Sequence, residues 1–342
     1  MYVSMGGARS ARSAFTPVPR RARVPPVRVL VTGGAGFIGS HLAERLLHQG
    51  HEVRILDSFA TGRRSNLNVL DGVELVEGDI QSYERAHTAV SGCDYVLHQA
   101  ALPSVPRSIQ DPLTSAAVNT TGTLNILLAA RDAGVQRVVF ASSSSVYGAS
   151  TALPKREDMI PLPISPYAVS KQAAESYCRA FSHVYGLECV ALRYFNVFGP
   201  RQDPNSQYAA VVPRFITAAL TGQRPIVYGD GQQSRDFTYI DNVVDANLQA
   251  LTAPNAPGET FNIACGKRYT LNTLLTLISE ITGVDIHPDH HDPRPGDVLH
   301  SQASIDKAQR LLGFTPTTGF HDGVRHTIEH IASQQPAASP AQ

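Results

Sequence analysis

The 342-residue chain has no net charge, since 29 Lys and Arg offset 29 Asp and Glu. That balance supplies no long-range pull on a polyanion or an anionic bilayer, so neither nucleic acid nor a membrane surface is an expected partner. No stretch reaches the roughly 18 consecutive apolar residues of a membrane-crossing helix. The four cysteines (Cys93, Cys178, Cys189, Cys265) include no C-x-x-C pair. This argues against a closely spaced redox or zinc motif and for reduced thiols in the cytoplasm. Residues 1–27 lack any acidic side chain but carry Arg9, Arg12, Arg20, Arg21 and Arg23 among several prolines. No apolar core of about 7–15 residues follows, which excludes a secretory signal. Pro17, Pro19, Pro25 and Pro26 interrupt any amphipathic pattern, so 1–27 reads as a disordered extension or a misplaced start rather than a transit peptide. The tail, 333–342, reads as disordered too. No repeat of solenoid period is visible.

What is present suits a globular enzyme of one large domain or two coupled ones: 42% hydrophobic and 17% charged residues in a chain long enough for a large core. Order begins at "VRVLVTGGAGFIGSHLAERLLHQGHEVRILD". A β-branched run, Val27–Thr32, meets glycines. A helical pattern (Ile38, Leu42, Leu46, Leu47) follows, then a second apolar run ending at Asp57. Further strands are expected near Val73–Glu77, Tyr95–Gln99, Val138–Ser142 and Cys189–Arg193, with helices at Ala116–Ala133 and Tyr167–Tyr185. Strands alternating with helices imply an α/β fold, a doubly wound parallel sheet of Rossmann type covered on both faces. After Tyr194, loops rich in Pro, Gly and Asn predict a smaller C-terminal mixed α/β substrate lobe. The expected division is a nucleotide domain of 28–194 plus about 235–262, and a substrate lobe of 195–234 and 263–332.

"TGGAGFIGS" sets Gly33, Gly36 and Gly39 three apart, between a strand and a helix. A strand that turns sharply onto a helix N-terminus lets a pyrophosphate reach backbone N–H groups that side chains would otherwise block. Asp57, 21 residues beyond Gly36, stands where a carboxylate bonds an adenosine ribose. It favours NAD over NADP, because a 2′-phosphate would meet a negative charge. Arg63 and Arg64 follow, read as a solvated loop. Asp79 and Ile80 in "EGDI" are expected at the adenine, and Gln99, Ala100 and Ala101 in "HQAA" at the pyrophosphate and ribose, outside the carboxyl ends of parallel strands.

In "ISPYAVSK", Tyr167 and Lys171 are four apart and share a helix face. A free phenol titrates near 10. A neighbouring ammonium and the positive ring of an oxidised nicotinamide favour the phenolate, which can then take a proton from a hydroxyl as its carbon yields a hydride. Taken alone, the pair reads equally well as an ordinary capped helix start after Ser165-Pro166. "VVFASSSSVYG" adds serine hydroxyls at a strand's carboxyl end, able to serve both substrate and tyrosine.

With these motifs the chain resembles the extended short-chain dehydrogenase/reductases, and among them the nucleotide-sugar 4-epimerases, from about Val27 to Ile331. "GGAGFIGS", "SSSVYG", "SPYAVSK", "LRYFNVFGPRQ", "GDGQQSRDFTYIDNV", "FNIACG" and "RPGDV" carry the resemblance. It implies Ser143 and Tyr167 as the acid/base pair with Lys171 holding the tyrosine's charge. It implies Phe37, Ile38, Asn119 and Tyr194 at NAD, beside the glycines. It implies Ser104, Ser143, Ser144, Asn196, Val211, Tyr228, Arg235, Arg294, Asp297 and Ser301 at a UDP-sugar, the two arginines suiting a diphosphate.

Related dehydratases place an Asp-Glu pair before the V-Y-G, and related decarboxylases keep a Glu in that strand. Here the positions are Ser144-Ser145, which favours epimerisation, a reaction that needs no further acid. Ser301 resembles the small form of a gate that admits N-acetylated sugars, implying UDP-GlcNAc/UDP-GalNAc interconversion, with UDP-glucuronate open as an alternative. "HPDHHD" (His287, His290, His291, Asp292) has no metal-site spacing, and no metal is expected. His98 reads as a packed histidine rather than a base. A non-catalytic NAD sensor is disfavoured because Tyr167 and Lys171 are both retained. A net dehydrogenase would release NADH. The resemblance also implies a homodimer through the helices Ala116–Ala133 and Tyr167–Tyr185, the first being apolar at Leu124, Ile126, Leu127 and Leu128.

Overall fold

The computed structural model describes residues 26–204, 210–293 and 298–334. Six strands alternate with helices: β1 (Arg28–Thr32), β2 (Glu52–Asp57), β3 (Glu74–Glu77), β4 (Tyr95–His98), β5 (Arg137–Ser143) and β6 (Glu188–Tyr194). With an edge strand, Thr260–Ile263, they form one seven-stranded sheet in the order Thr260–Ile263, β6, β5, β4, β1, β2, β3. Every pairing is parallel. After β3 the chain crosses to the other side of β1, so β1 and β4 diverge at a switch point, where such sheets bind ligands.

Both faces are covered. On one, Val31, Ile55, Leu97 and Val139 pack with Leu42 and Leu46 of helix Phe37–His48 and Val243 of helix Ile240–Thr252. On the other, Leu30, Leu56, Val96 and Phe140 meet Ala86, Leu127 and Cys178, from the helices Tyr83–Val90, Gly122–Asp132 and Pro166–Tyr185. Strands buried on both sides read as continuous apolar runs, which is why they are visible in the sequence.

Three expectations are revised. Val27 belongs to the fold, not to an extension, because its carbonyl accepts Glu52 N–H at 3.1 Å and its side chain packs on the core. Helix Phe320–Gln334 continues through Ser333 and Gln334, two residues into the expected disordered tail. The helix expected at Ala116–Ala133 is Pro112–Ala116, a π-turn at Ala117–Thr121, then Gly122–Asp132. Single π-turns of this kind collect at functional sites. This one holds Asn119, whose amide closes on the loop after β4, accepting Leu102 N–H at 2.8 Å and donating to Leu102 O at 3.1 Å.

Candidate active site

The glycine loop leaves β1 at Gly33, in the left-handed region with φ +69, and a Cβ there would lie 2.8 Å from Ala100 Cα. Gly36 starts the helix Phe37–His48 with no side-chain cap and no acidic residue in the first turn. The orphan N–H groups of that turn and their positive dipole end therefore suit an anion. Asp57 ends β2, buried, and folds back under the loop. Its Oδ2 accepts Ala35 N–H at 2.9 Å and its Oδ1 accepts Phe59 N–H at 2.8 Å. Burial raises its pKa above the ordinary carboxylate value, against these two bonds.

Arg63 and Arg64 are exposed, as a solvated loop predicts, and make surface pairs there. Arg63 pairs with Asp203, and Arg64 pairs with Glu77 at 2.7 Å and stacks 4.0 Å over the Phe59 ring. His98 fits the packed reading: its nitrogens lie 2.7 Å from Thr32 Oγ1 and 2.9 Å from Thr123 Oγ1, and burial lowers its pKa to about 3.

A cavity of about 900 Å³ runs along the carboxyl edge of the sheet, lined by Gly33, Gly36, Phe37, Ile38, Gly39, Asp57, Asp79, Ile80, Gln99, Ala100, Ala101, Ser104, Ser143, Ser144, Tyr167, Lys171, Tyr194 and Asn196. Every residue expected at the cofactor is there except Asn119, which is buried and works from behind through Leu102. The glycine cradle and the Asp57 carboxylate fit a dinucleotide without a 2′-phosphate.

At the other end of the cavity, Ser165 caps helix Pro166–Tyr185 through Ala168 N–H, with Pro166 in the first turn, which aims Tyr167 at the end of β5. Tyr167 and Ser143 line the same stretch of cavity, and the Ser143 hydroxyl favours the phenolate. Lys171 donates to Ala141 O at 2.8 Å, with Nζ 4.9 Å from the Phe140 ring and 6.0 Å from the Tyr167 ring. Burial lowers Lys171 to about 8. Burial also raises Tyr167, and only the Ser143 hydroxyl opposes it. With burial raising the phenol, the phenolate has to draw on the Lys171 ammonium together with the positive ring of an oxidised nicotinamide.

A second cavity of about 270 Å³ is lined by Asn196, Val211, Tyr228 and Arg235, and shares Asn196, Val197 and Ala210 with the first. Asn196 has φ +36, a strained value for a non-glycine residue, and donates to Asp236 O at 3.1 Å. Asp236 forms no exposed pair with Arg235. It is fully buried and gathers the N–H groups of Cys265, Gly266 and Ala303 at 2.9, 3.1 and 3.1 Å, while burial raises it to about 6. Ser301 lines neither cavity; its N–H bonds Ser234 O at 3.0 Å, beside Arg235. Arg294 and Asp297 lie outside the described residues.

The sequence reading missed Gly62, Arg107 and Asp203 in the larger cavity and Arg214, Gln233 and Leu271 in the smaller. Arg107, Arg214 and Leu271 sit on helices and the others in loops, and none falls in a spacing that marks a ligand. The histidines of "HPDHHD" bond locally: His287 to Asp285 at 3.1 Å, His290 to Gly229 O at 2.7 Å and His291 to Asp289 at 3.3 Å.

Comparison with known proteins agrees with this geometry. The profile of the family described as "NAD dependent epimerase/dehydratase" matches residues 29–264. The UDP-glucose 4-epimerase of Mycolicibacterium smegmatis is 40% identical, over 90% of this chain and 99% of that protein. Among solved structures, the UDP-N-acetylglucosamine 4-epimerase of Methanobrevibacter ruminantium, in complex with UDP-N-acetylmuramic acid, superposes with a TM-score of 0.87 at 40% identity, covering 91% and 100% of the two chains. The Thermus thermophilus UDP-glucose 4-epimerase complex with NAD gives 0.83 at 38% identity, covering 90% and 100%.

Proposed function

The chain belongs to the NAD dependent epimerase/dehydratase family and is an NAD-dependent UDP-sugar 4-epimerase, and we propose that its sugars are the N-acetylated pair UDP-GlcNAc and UDP-GalNAc, with UDP-glucose and UDP-galactose as further substrates. Bound NAD supplies the acceptor for the C4 hydride and later its donor. Tyr167 takes the C4 hydroxyl proton, and Ser143, beside it in the cavity, holds the same oxygen. Lys171, held at Ala141 O, sets a positive charge behind the phenolate. When the 4-keto sugar has turned over in the cavity, C4 would take the hydride back on its other face and Tyr167 returns the proton to the C4 oxygen.

One observation carries epimerisation over dehydration or decarboxylation. Among the described residues lining the larger cavity the carboxylates are Asp57, Asp79 and Asp203, and none stands on β5 or the helix of Tyr167. Hydroxyls at Ser143 and Ser144 bind a sugar but do not expel its substituents.

The preference for N-acetylated sugars rests on the resemblance that makes the small Ser301 a gate; the residue lines neither cavity, and its N–H bonds Ser234 O, next in the chain to Arg235. Ser301→Tyr should reduce kcat/KM for UDP-GlcNAc at least about tenfold more than for UDP-glucose, a difference one bulky group readily supplies. Proton NMR of the sugar H4 reads both, with UDP-glucuronate as a third substrate because a small residue also admits its carboxylate. Equal losses on all three sugars would sink the gate.

The reading includes a homodimer in the cytoplasm, where its four unpaired cysteines stay reduced. On the first of the two expected helices Ile126 and Leu127 are fully buried, while Leu124 and Leu128 are partly buried against the same core. The exposed apolar groups are instead Ile109, Leu113, Val169 and Val184, with Leu113 83% exposed. Ile109 sits on Val105–Gln110 and Leu113 on Pro112–Ala116, both packed beside helix Pro166–Tyr185, which carries Val169 and Val184. Leu113→Glu should shift the sedimenting species from dimer to monomer; an unchanged dimer would place the interface elsewhere.

A further inference from the structure

Behind the cavity, a buried ion pair ties together β5 and helix Pro166–Tyr185, which carry the reacting groups, and β6, which carries Tyr194. Glu175 and Arg193 side chains are each 3% exposed and meet through two bonds, Nε to Oε1 at 2.9 Å and Nη2 to Oε2 at 2.8 Å. Glu175 Oε1 also accepts the Ser142 hydroxyl at 2.5 Å. Each member adjoins the site. Ser142 precedes Ser143 on β5, Arg193 precedes Tyr194 on β6, and Glu175 lies one helical turn beyond Lys171, itself one turn beyond Tyr167.

Stability alone does not account for such a pair. Apolar residues of equal volume in its place are often neutral or stabilising, because two charges must be stripped of water. A planar guanidinium forked onto a carboxylate does what an apolar contact does not: it fixes direction and register. A helix resting on a sheet only through alkyl groups has neighbouring arrangements of similar energy, and a shift of about 1 Å in a reacting group costs up to about 100-fold in rate.

We infer that Glu175 is a positioning residue of this enzyme. Its carboxylate, clamped by Arg193 and Ser142, sets the register of the Tyr167–Lys171 helix on β5 and so holds Ser143, Tyr167 and Lys171 at reacting distance. The inference depends on the reading that these three carry the chemistry. Tyr147 faces the clamp with its ring 4.8 Å from the Arg193 guanidinium, and Lys171 feels the charges of Glu175 and Cys178 and in turn acts on His98.

The test replaces the pair together, Glu175→Leu with Arg193→Met, in the full-length NAD-loaded protein. A thermal melt checks the fold. The Tyr167 phenol is titrated by ultraviolet difference against the same protein carrying Tyr167→Phe, so that the other tyrosines cancel. Epimerisation supplies kcat and KM. The expected result is a folded protein whose kcat falls by up to about 100-fold with KM within about twofold, and whose Tyr167 titrates at higher pH than in the wild type. A kcat within about twofold of wild type overturns the inference. So does a lower kcat with Tyr167 titrating as before, since the loss then does not pass through the tyrosine. If the double variant does not fold, Ser142→Ala keeps the ion pair and removes one bond. It must show the same upward displacement and a several-fold lower kcat, and wild-type values for both overturn the inference. Failure of the wild type to convert any UDP-sugar would count against the proposed function, while the Tyr167 titration, which needs no substrate, would still decide the positioning role.

Discussion

Tyr167→Phe is expected to keep its fold and its bound NAD and to lose about 10²- to 10⁴-fold in kcat, the range a positioned general acid/base supplies. The substitution removes one oxygen and leaves the ring in place, so the capped helix start at Ser165 and Pro166 is untouched. Ser143 remains, but a serine hydroxyl has no basicity of its own at neutral pH, and no carboxylate on β5 or the tyrosine's helix lines the cavity to replace the phenol. Turnover followed by the sugar H4 resonance decides it, and near-normal activity would remove Tyr167 from the mechanism. The wild type carries a matching pH signature. Lys171 is lowered to about 8 by burial. Its charged form exists below that value, so kcat should decline as pH rises through about 8 and the phenolate loses its opposing charge. Burial raises Tyr167 itself, so its basicity has to come from the positive ring of the oxidised cofactor together with Lys171 and Ser143.

Gly39→Ala should yield protein without stoichiometric NAD and about 1–3 kcal/mol less stable, the usual cost of overpacking. A Cβ at this position falls 2.2 Å from Gly33 O and 2.8 Å from Gly34 Cα, both backbone atoms that cannot swing away as a flexible side chain would. The glycine loop must move instead, and its amides then no longer converge on a pyrophosphate. Nucleotide released on denaturation, quantified against protein, reads the first effect, and a urea melt the second. Gly319→Ala is the control, since nothing lies within 4 Å of its added Cβ. It should stay within about 0.5 kcal/mol of wild type. Full NAD content in Gly39→Ala would show that the close helix–strand contact is not what shapes the loop.

The doubly wound sheet was legible because its strands are buried on both faces and read as short apolar runs between helical patterns. The cofactor loop was legible because its chemistry sits within a few residues of chain. The substrate side was less so. Asn196, Val211, Tyr228 and Arg235 came only through resemblance, although they line one cavity. Around Leu124–Leu128 the sequence left open whether a partner or this chain covers the apolar side, since apolar periodicity says that a face is covered but not by what. There the cover is this chain's own helix Tyr83–Val90 and sheet.

The sequence by itself determined the alternation of strands and helices, the turn at Gly33, the carboxylate of Asp57, the Tyr167–Lys171 spacing and the hydroxyl-only end of β5, all local patterns written within one or two elements. The tertiary structure alone decided what depends on residues far apart in the chain. It turned Asp236 inward onto three amides, joined two cavities at Asn196, closed Asn119 onto Leu102 through a π-turn, and locked Glu175 to Arg193 and Ser142. A hydrogen bond between distant residues leaves no periodicity in either segment, so only the packed chain reveals which polar groups must satisfy one another once water is excluded.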